Sequence, residues 1–363
     1  AAVPAAPAVA ALAVAAPAVA VGRAAPVMAV GSAAPEPVCR IGDDRLIEIS
    51  GLATDGAGYV VINDGADDPD GRRIFFLNRR CGVARSVPYP SRPRDTEDLA
   101  RGPDGTLWVA DIGDNGRNRE TIALWRLSPR SRTPRLFRLT YPDGPHDAEA
   151  LLIGADGTPV VVTKDPMTAG LYVPGSPLSA GKPTPMRKAG TFPIPASATG
   201  NPFGLPGRFV ITGGATSADG RRVVLRTYAD AFEFDVPGGG DLVTAITQGE
   251  PRVIPLPDEP QGEAIAYSRD GTALLTVSEG SNAEIKRYPL PDAPPVSPSA
   301  QPSPSSLPPS SPQTASPSSP AAAPQPIAVA RTPSLPAGAL IAGVAMAGAA
   351  VALTVAVARR RRP

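Results

Sequence analysis

Histidine is almost missing from this chain: one residue in 363, alongside two cysteines. A four-ligand Cys/His zinc site therefore cannot be built, and any histidine-dependent acid–base chemistry must run through His146. An excess of charge of one sign is missing too. Lys plus Arg number 35 and Asp plus Glu 34, a net of +1, which argues against a nucleic-acid partner held by phosphate neutralisation. No Gly-x-Ser-x-Gly elbow and no P-loop occurs, so a hydrolase-fold triad and a P-loop phosphate cradle have no support. What is plentiful is punctuation: 47 Pro and 36 Gly, which excludes a long helical bundle or coiled coil. A hydrophobic fraction of 42% excludes a chain disordered throughout.

These residues are unevenly spread. Residues 1–38 are nearly all Ala, Val and Pro, with no acid before Glu36 and a single base, Arg23. They read as a signal peptide and Ala/Pro-rich leader, although no Met or basic stretch precedes Ala1; the alternative is a disordered tail. Residues 337–358 run 22 positions without a charge, about 33 Å as a helix, enough to cross a hydrocarbon core of about 30 Å. Arg359, Arg360, Arg361 and Arg362 come next and mark residues 359–363 as a cytoplasmic tail. A single-pass membrane protein with an extracellular domain at the cell surface is expected. Between domain and span, residues 291–336 hold 15 Pro and 11 Ser in 46 positions, a disordered, extended linker. The tail resembles bacterial wall-sorting signals, but Leu335, Pro336, Ala337, Gly338 and Ala339 lack the Thr of Leu-Pro-x-Thr-Gly, so permanent anchoring is the preferred reading. In an exported domain, Cys39 and Cys81 most simply pair.

The remaining segment, 39–290, carries a repeat. In TEDLARGPDGTLWVAD, DAEALLIGADGTPVVVTK and GEAIAYSRDGTALLTVSEG a Glu stands eight residues before the Gly of an Asp-Gly turn: Glu97, Glu149 and Glu263. Thr212 and Ser50 align with them, and the spacings between the five anchors are 47, 52, 63 and 51. A period near fifty marks a repeat architecture. Each unit is a hairpin signature with further short apolar runs after it, which predicts an all-β chain, a β-propeller of five or six blades. A solenoid is the competing repeat fold. The gap of 63 leaves room for an insertion or a degenerate sixth blade.

The phrases EDLARGPDGTLWVADIGDN, HDAEALL and QGEAIAYSRDGTALLTVSEG resemble secreted bacterial propellers of the esterase-like phytase and NHL-like families. The resemblance spans roughly 40–290 and implies the fold more than an activity.

A hairpin brings the start of its first strand beside the end of its second. The anchors Ser50, Glu97, Glu149, Thr212 and Glu263 therefore share one channel mouth with Asp64, Asp111, Lys164, Arg226 and Glu279. Three converging Glu raise one another's pKa unless a cation offsets them. Lys164 and Arg226 can serve internally, or a hard cation such as Ca²⁺ can sit among the oxygens. The bland reading is that each Glu caps backbone N–H groups and ties blades together. DIGDNGRNR supplies Asp114 and Asn115 beside Arg117 and Arg119, off the EF-hand spacing and equally readable as an Asx turn. His146, next to Asp147, is a candidate general base or a structural hydrogen-bonding residue. The expected function is a membrane-anchored propeller binding a ligand or partner, a small anion or a cell-wall polymer, at an acidic mouth. The alternatives are a metal-dependent phosphoesterase or esterase with Glu97, Glu149 and Glu263 as ligands and His146 or Asp147 handling protons, or a wall-contacting scaffold.

Overall fold

The computed structural model describes residues 34–291 except 57, 66, 67 and 258. Residues 1–33 of the signal and leader segment, nearly all of the linker, the span at 337–358 and the basic tail lie outside the described residues. Among the described residues no helix is long and apolar enough to cross a membrane.

Short apolar runs broken by Gly give short strands. β1 (Glu36–Arg40) precedes the repeats and takes residues from both sides of the 38/39 boundary expected from sequence. The first blade is β2 (Ile49–Asp55), β3 (Gly58–Asn63), β4 (Arg73–Asn78) and β5 (Val83–Pro88). The second is β6 (Thr96–Arg101), β7 (Leu107–Asp111), β8 (Ile122–Leu127) and β9 (Arg135–Thr140). The third is β10 (Ala148–Ile153), β11 (Pro159–Thr163), β12 (Thr168–Pro174) and β13 (Thr184–Pro193). In the fourth, β14 (Gly213–Thr216), β15 (Arg222–Arg226) and β16 (Asp230–Asp235) lead through the short helix α1 (Leu242–Gln248) to β17 (Arg252–Pro255). The fifth is β18 (Gly262–Tyr267), β19 (Ala273–Ser278) and β20 (Glu284–Pro289), completed by β1 on its outer edge. Blades two and three merge into one eight-stranded sheet through a two-residue parallel contact, Thr184 and Pro185 against Leu139 and Thr140.

The innermost strands β2, β6, β10, β14 and β18 neighbour one another in a closed cycle. Five apolar cores fill the five spaces between successive blades. The fold is a five-bladed β-propeller. The wide gap before Thr212 holds no sixth blade; it holds the ten-residue β13 and an excursion over residues 194–210.

Closure is made twice. β1 pairs antiparallel with β20, and Cys39 on β1 bonds Cys81 in the turn between β4 and β5, with Cα atoms 5.8 Å apart. The bond thus joins the last blade to the first. The same pairing fixes where the chain ends lie. β18 starts at the anchor face, β20 runs parallel to it and away from that face, and β1 runs back. Both ends of the described chain therefore leave from the face opposite the anchors.

Candidate functional site

The repeat predicted that each anchor stands beside the end of the second strand, and the ladders place them there. Thr96 pairs with Asp111, Ala148 with Thr163, Gly213 with Arg226 and Gly262 with Ser278. The Asp-Gly turns that set this register use Gly105 and Gly157 at φ 80° and 81°, a left-handed conformation open to Gly at little cost. In four blades the anchor is the extra residue of a β-bulge: Ser50, Glu97, Glu149 and Glu263. A bulge re-aims a side chain out of the strand's alternation. That is why the anchors turn towards the mouth.

Glu97, Glu149 and Glu263 come from the second, third and fifth blades, and one carboxylate oxygen of each lies within 4.8 Å of the others. A second group, Asp64, Asp95 and Glu97, meets the same limit and shares Glu97. All three glutamates are buried. Burial first, then neighbouring carboxylates, pushes Glu97 well above the usual range, with Asp64 and Glu149 the largest contributors among those carboxylates. Glu149 is likewise raised by burial, although Lys164 opposes the shift. Burial raises Glu263 as well, again against Lys164. Asp95 is pushed up to about 8 by burial and by Asp64, and Glu279 to about 10 by burial and by Glu263. Such a set favours protonation or a bound cation over free carboxylates.

One cation is built in. Lys164 Nζ donates to Glu149 Oε1 at 2.6 Å and stands 5.8 Å from the centroid of the Tyr228 ring. The Tyr228 hydroxyl donates to Glu263 Oε1 at 3.0 Å, while Glu263 Oε2 is buried with no donor among the described residues and has the carboxyl of Glu279 beside it, with which it can share a proton. Gly113 lines the cluster so closely that a Cβ there would overlap Glu97 Oε1 and crowd Asp95 Oδ2.

The blade-tying role foreseen for the glutamates is met by Glu263, which accepts from Tyr228 of the fourth blade, and is shared with other groups. Ser50 Oγ donates to the Thr96 carbonyl at 3.0 Å, and Thr212 Oγ1 to the Gly262 carbonyl at 3.1 Å, each bridging two blades. Asp98, fully buried in the second blade, accepts from the backbone N–H groups of Leu99 at 2.7 Å and of Leu151, in the third blade, at 2.8 Å. Sequence reasoning missed Asp98. Its signal was an acid flanked by Glu97 and the apolar Leu99-Ala100, where a strand interior admits a carboxylate only with partners.

The other expected residues divide. Asp64 belongs to the second carboxylate group, and Glu279 is coupled electrostatically to Glu263. Arg226, expected at the mouth, is fully buried in the fourth blade's packing. Its guanidinium donates to Glu259 Oε2 at 2.7 Å and to the Ala264 carbonyl at 3.1 Å, and Glu259 also accepts from Thr276 and Tyr288. Asp111 accepts from the backbone N–H of Asp95 at 3.1 Å, from Arg119 at 2.9 Å and from Trp125 Nε1 at 3.3 Å, so it fixes the loop that carries Asp95. Asp114 accepts from the backbone N–H groups of Asn118 and Arg119, the Asx-type turn; Asn115 sits exposed in that turn. His146 is not brought to the glutamates. Its ring lies 3.0 Å from Asp143 Oδ1, 3.4 Å from Asp165 Oδ2 and 3.0 Å from the Tyr172 hydroxyl. Asp147 turns the other way and accepts from the backbone N–H of Asp114 at 2.8 Å.

Tyr228 and the excursion over 194–210 are the functional-side elements with no repeat signature. Phe203 from that excursion lies against Tyr228, ring centroids 4.2 Å apart.

No protein-family model and no curated protein matches the sequence. Among solved structures the chain is similar to a provisionally assigned gluconolactonase, at 13% identity and a TM-score of 0.39, over 63% of this chain and 70% of that one.

Proposed function

We propose that this chain is an exported, membrane-tethered β-propeller that binds its ligand at the acidic channel mouth through a hard divalent cation of the Ca²⁺ kind, held by Glu97, Glu149 and Glu263. One observation carries the reading: three glutamates from three blades bring carboxylate oxygens within 4.8 Å of one another. Lys164 offsets one of them, and the buried Glu263 Oε2, which no donor reaches and which lies beside the Glu279 carboxyl, is left in need of a positive charge or a proton. Ca²⁺ takes six to eight oxygens; Asp64 and Asp95 flank the three, and an anionic ligand would complete the shell. The tether rests on the uncharged run at 337–358 and the four arginines after it, and the Cys39–Cys81 bond suits an oxidising compartment.

Calcium titration of the full chain, monitored by thermal melting, tests the cation. The midpoint should rise with Ca²⁺ by mass action, and Glu97→Gln with Glu263→Gln should abolish the rise. No rise with Ca²⁺, Mg²⁺ or Mn²⁺ removes the reading.

A metal-assisted phosphoester or ester hydrolase is the second reading. It is favoured by Asp147, which lies close enough to Glu149 to raise its pKa, and by the likeness of the repeat motifs to esterase-like phytases. In it Glu97, Glu149 and Glu263 would hold a cation that polarises the ester, and Asp147 would take a proton from the attacking water and return it to the leaving alcohol oxygen. Turnover on a phosphoester and ester panel that persists in Asp147→Asn would exclude that role.

A further inference from the structure

Four large apolar side chains stand exposed among the described residues: Val38, Ile47, Met167 and Leu205. Three of them belong to the mouth face. Ile47 precedes β2, and its carbonyl accepts from the N–H of Gly280, next to Glu279. Met167 lies three residues after Lys164, and Leu205 is on the excursion that packs on Tyr228. Met167 and Leu205 are 56% and 64% exposed.

These two are parts of one built wall. The Met167 N–H donates to the Phe209 carbonyl at 2.9 Å and the Met167 carbonyl accepts from Ile194 at 2.9 Å, so Met167 is pinned between the two feet of the excursion. The excursion is itself tied down: Arg208 donates to the carbonyls of Thr199 and Ser197 at 2.9 and 3.1 Å, and Thr199 Oγ1 donates to Asp230 at 2.7 Å. Gly207 accepts from the Tyr228 N–H at 3.1 Å, and Phe203 covers the Tyr228 ring. Tyr228 then reaches Glu263. Met167, Phe203 and Leu205 are thus carried by segments bonded to one another on the mouth face, an apolar shelf linked to the carboxylate cluster through Phe203, Tyr228 and Glu263. Met167 adopts φ 67°, a left-handed conformation unfavourable for an unbranched non-Gly side chain.

We infer that the ligand at this mouth carries an alkyl or aryl substituent beside its anionic group, the anion meeting the cation among the glutamates and the substituent lying on Met167, Phe203 and Leu205. The inference rests on the cation reading above. A sugar polyphosphate, charged on every side, would leave this shelf in water. An alkyl phosphate or a carboxylate with an apolar tail would cover it, and each buried methylene is worth roughly a factor of four in affinity.

The test uses the full chain at saturating Ca²⁺ with two probes, methyl phosphate and hexyl phosphate, by calorimetry. Hexyl phosphate should bind at least about tenfold tighter. Met167→Asn combined with Leu205→Ser should bring the two within about twofold of each other while leaving the Ca²⁺-induced rise in melting midpoint intact. Asn tolerates the left-handed backbone better than Met, so the variant should melt no lower than wild type, which separates loss of the shelf from loss of the fold. Equal affinity for the two probes, no binding of either, or a preference that survives both substitutions would overturn the inference. Failure of Ca²⁺ to bind in the absence of any phosphate would instead remove the cation reading on which it rests.

Discussion

Breaking the Cys39–Cys81 bond should loosen the seam between the first and last blades. The two residues are 42 apart in sequence, and in the chain-entropy description a loop of that size restricts the unfolded chain by about 4 kcal/mol. Beyond its pairing with β20, β1 has little else to hold it: its residues are exposed apart from the half-buried Cys39, and its ion pairs, Arg40 with Glu284 and Glu36 with Arg287 at 3.0 and 3.1 Å, lie at the surface, where such pairs contribute at most about 1 kcal/mol. For a domain of this size 1 kcal/mol corresponds to about 2 °C, so Cys39→Ala should lower the melting midpoint by about 8 °C. This variant leaves Cys81 in place at its φ of 62° and adds no backbone change of its own. Scanning calorimetry of the full chain, oxidised, reduced and as Cys39→Ala, gives the comparison. Hydrogen exchange should show the amides of β20 losing protection first, because they pair with β1. A reduced protein that melts within about 2 °C of the oxidised one, with β20 still protected, would refute the reasoning and assign closure to strand pairing alone.

Side chains around the channel give three further expected outcomes. Asp98→Ala leaves the amides of Leu99 and Leu151 unpaired at about 1–3 kcal/mol each, so urea unfolding should register a loss of several kcal/mol, larger than for Asp98→Asn, which keeps an acceptor. Gly113→Ala should displace Glu97 and abolish the Ca²⁺-dependent rise in melting midpoint, while leaving the far-UV spectrum of a β protein unchanged. His146 has its pKa raised above 6.5, chiefly by its hydrogen bond to Asp165, against the opposing effect of burial. A raised histidine stabilises fully below its unfolded pKa and loses that contribution as pH rises through the folded value. Melting midpoints should therefore fall more steeply above pH 6.5 in wild type than in His146→Gln, and identical slopes would count against the Asp143–His146–Asp165 pairing.

The propeller, with a blade count of five or six, the hairpin directions and the convergence of Glu97, Glu149 and Glu263 were legible because a repeat is written in local terms: an Asp-Gly turn and a residue eight before its Gly. The propeller then converts one local offset into one shared face. Arg226 obeyed the same offset and stands opposite Gly213 as expected, but its side chain is buried against Glu259, from the stretch before β18, and does not line the mouth. Asp98 and Tyr228 were invisible for a related reason. Asp98 finds a partner in the next blade, Leu151, and Tyr228 finds Glu263 and Phe203, so their roles depend on how blades pack and not on any spacing along the chain. The bulges that aim the anchors inward also leave no mark in the residue types.

The shared exit face of the two chain ends has a mechanical consequence. If the domain is held through the chain beyond residue 291 while a ligand is held at the glutamates, tension runs along the channel axis and so along β20. That strand lies between β19 and β1, antiparallel to both, so the pull loads its hydrogen bonds together, in shear, and does not peel them one at a time. The disulfide carries part of that load past β20 into the first blade. A tether attached at this point would grip the propeller where it resists extraction best.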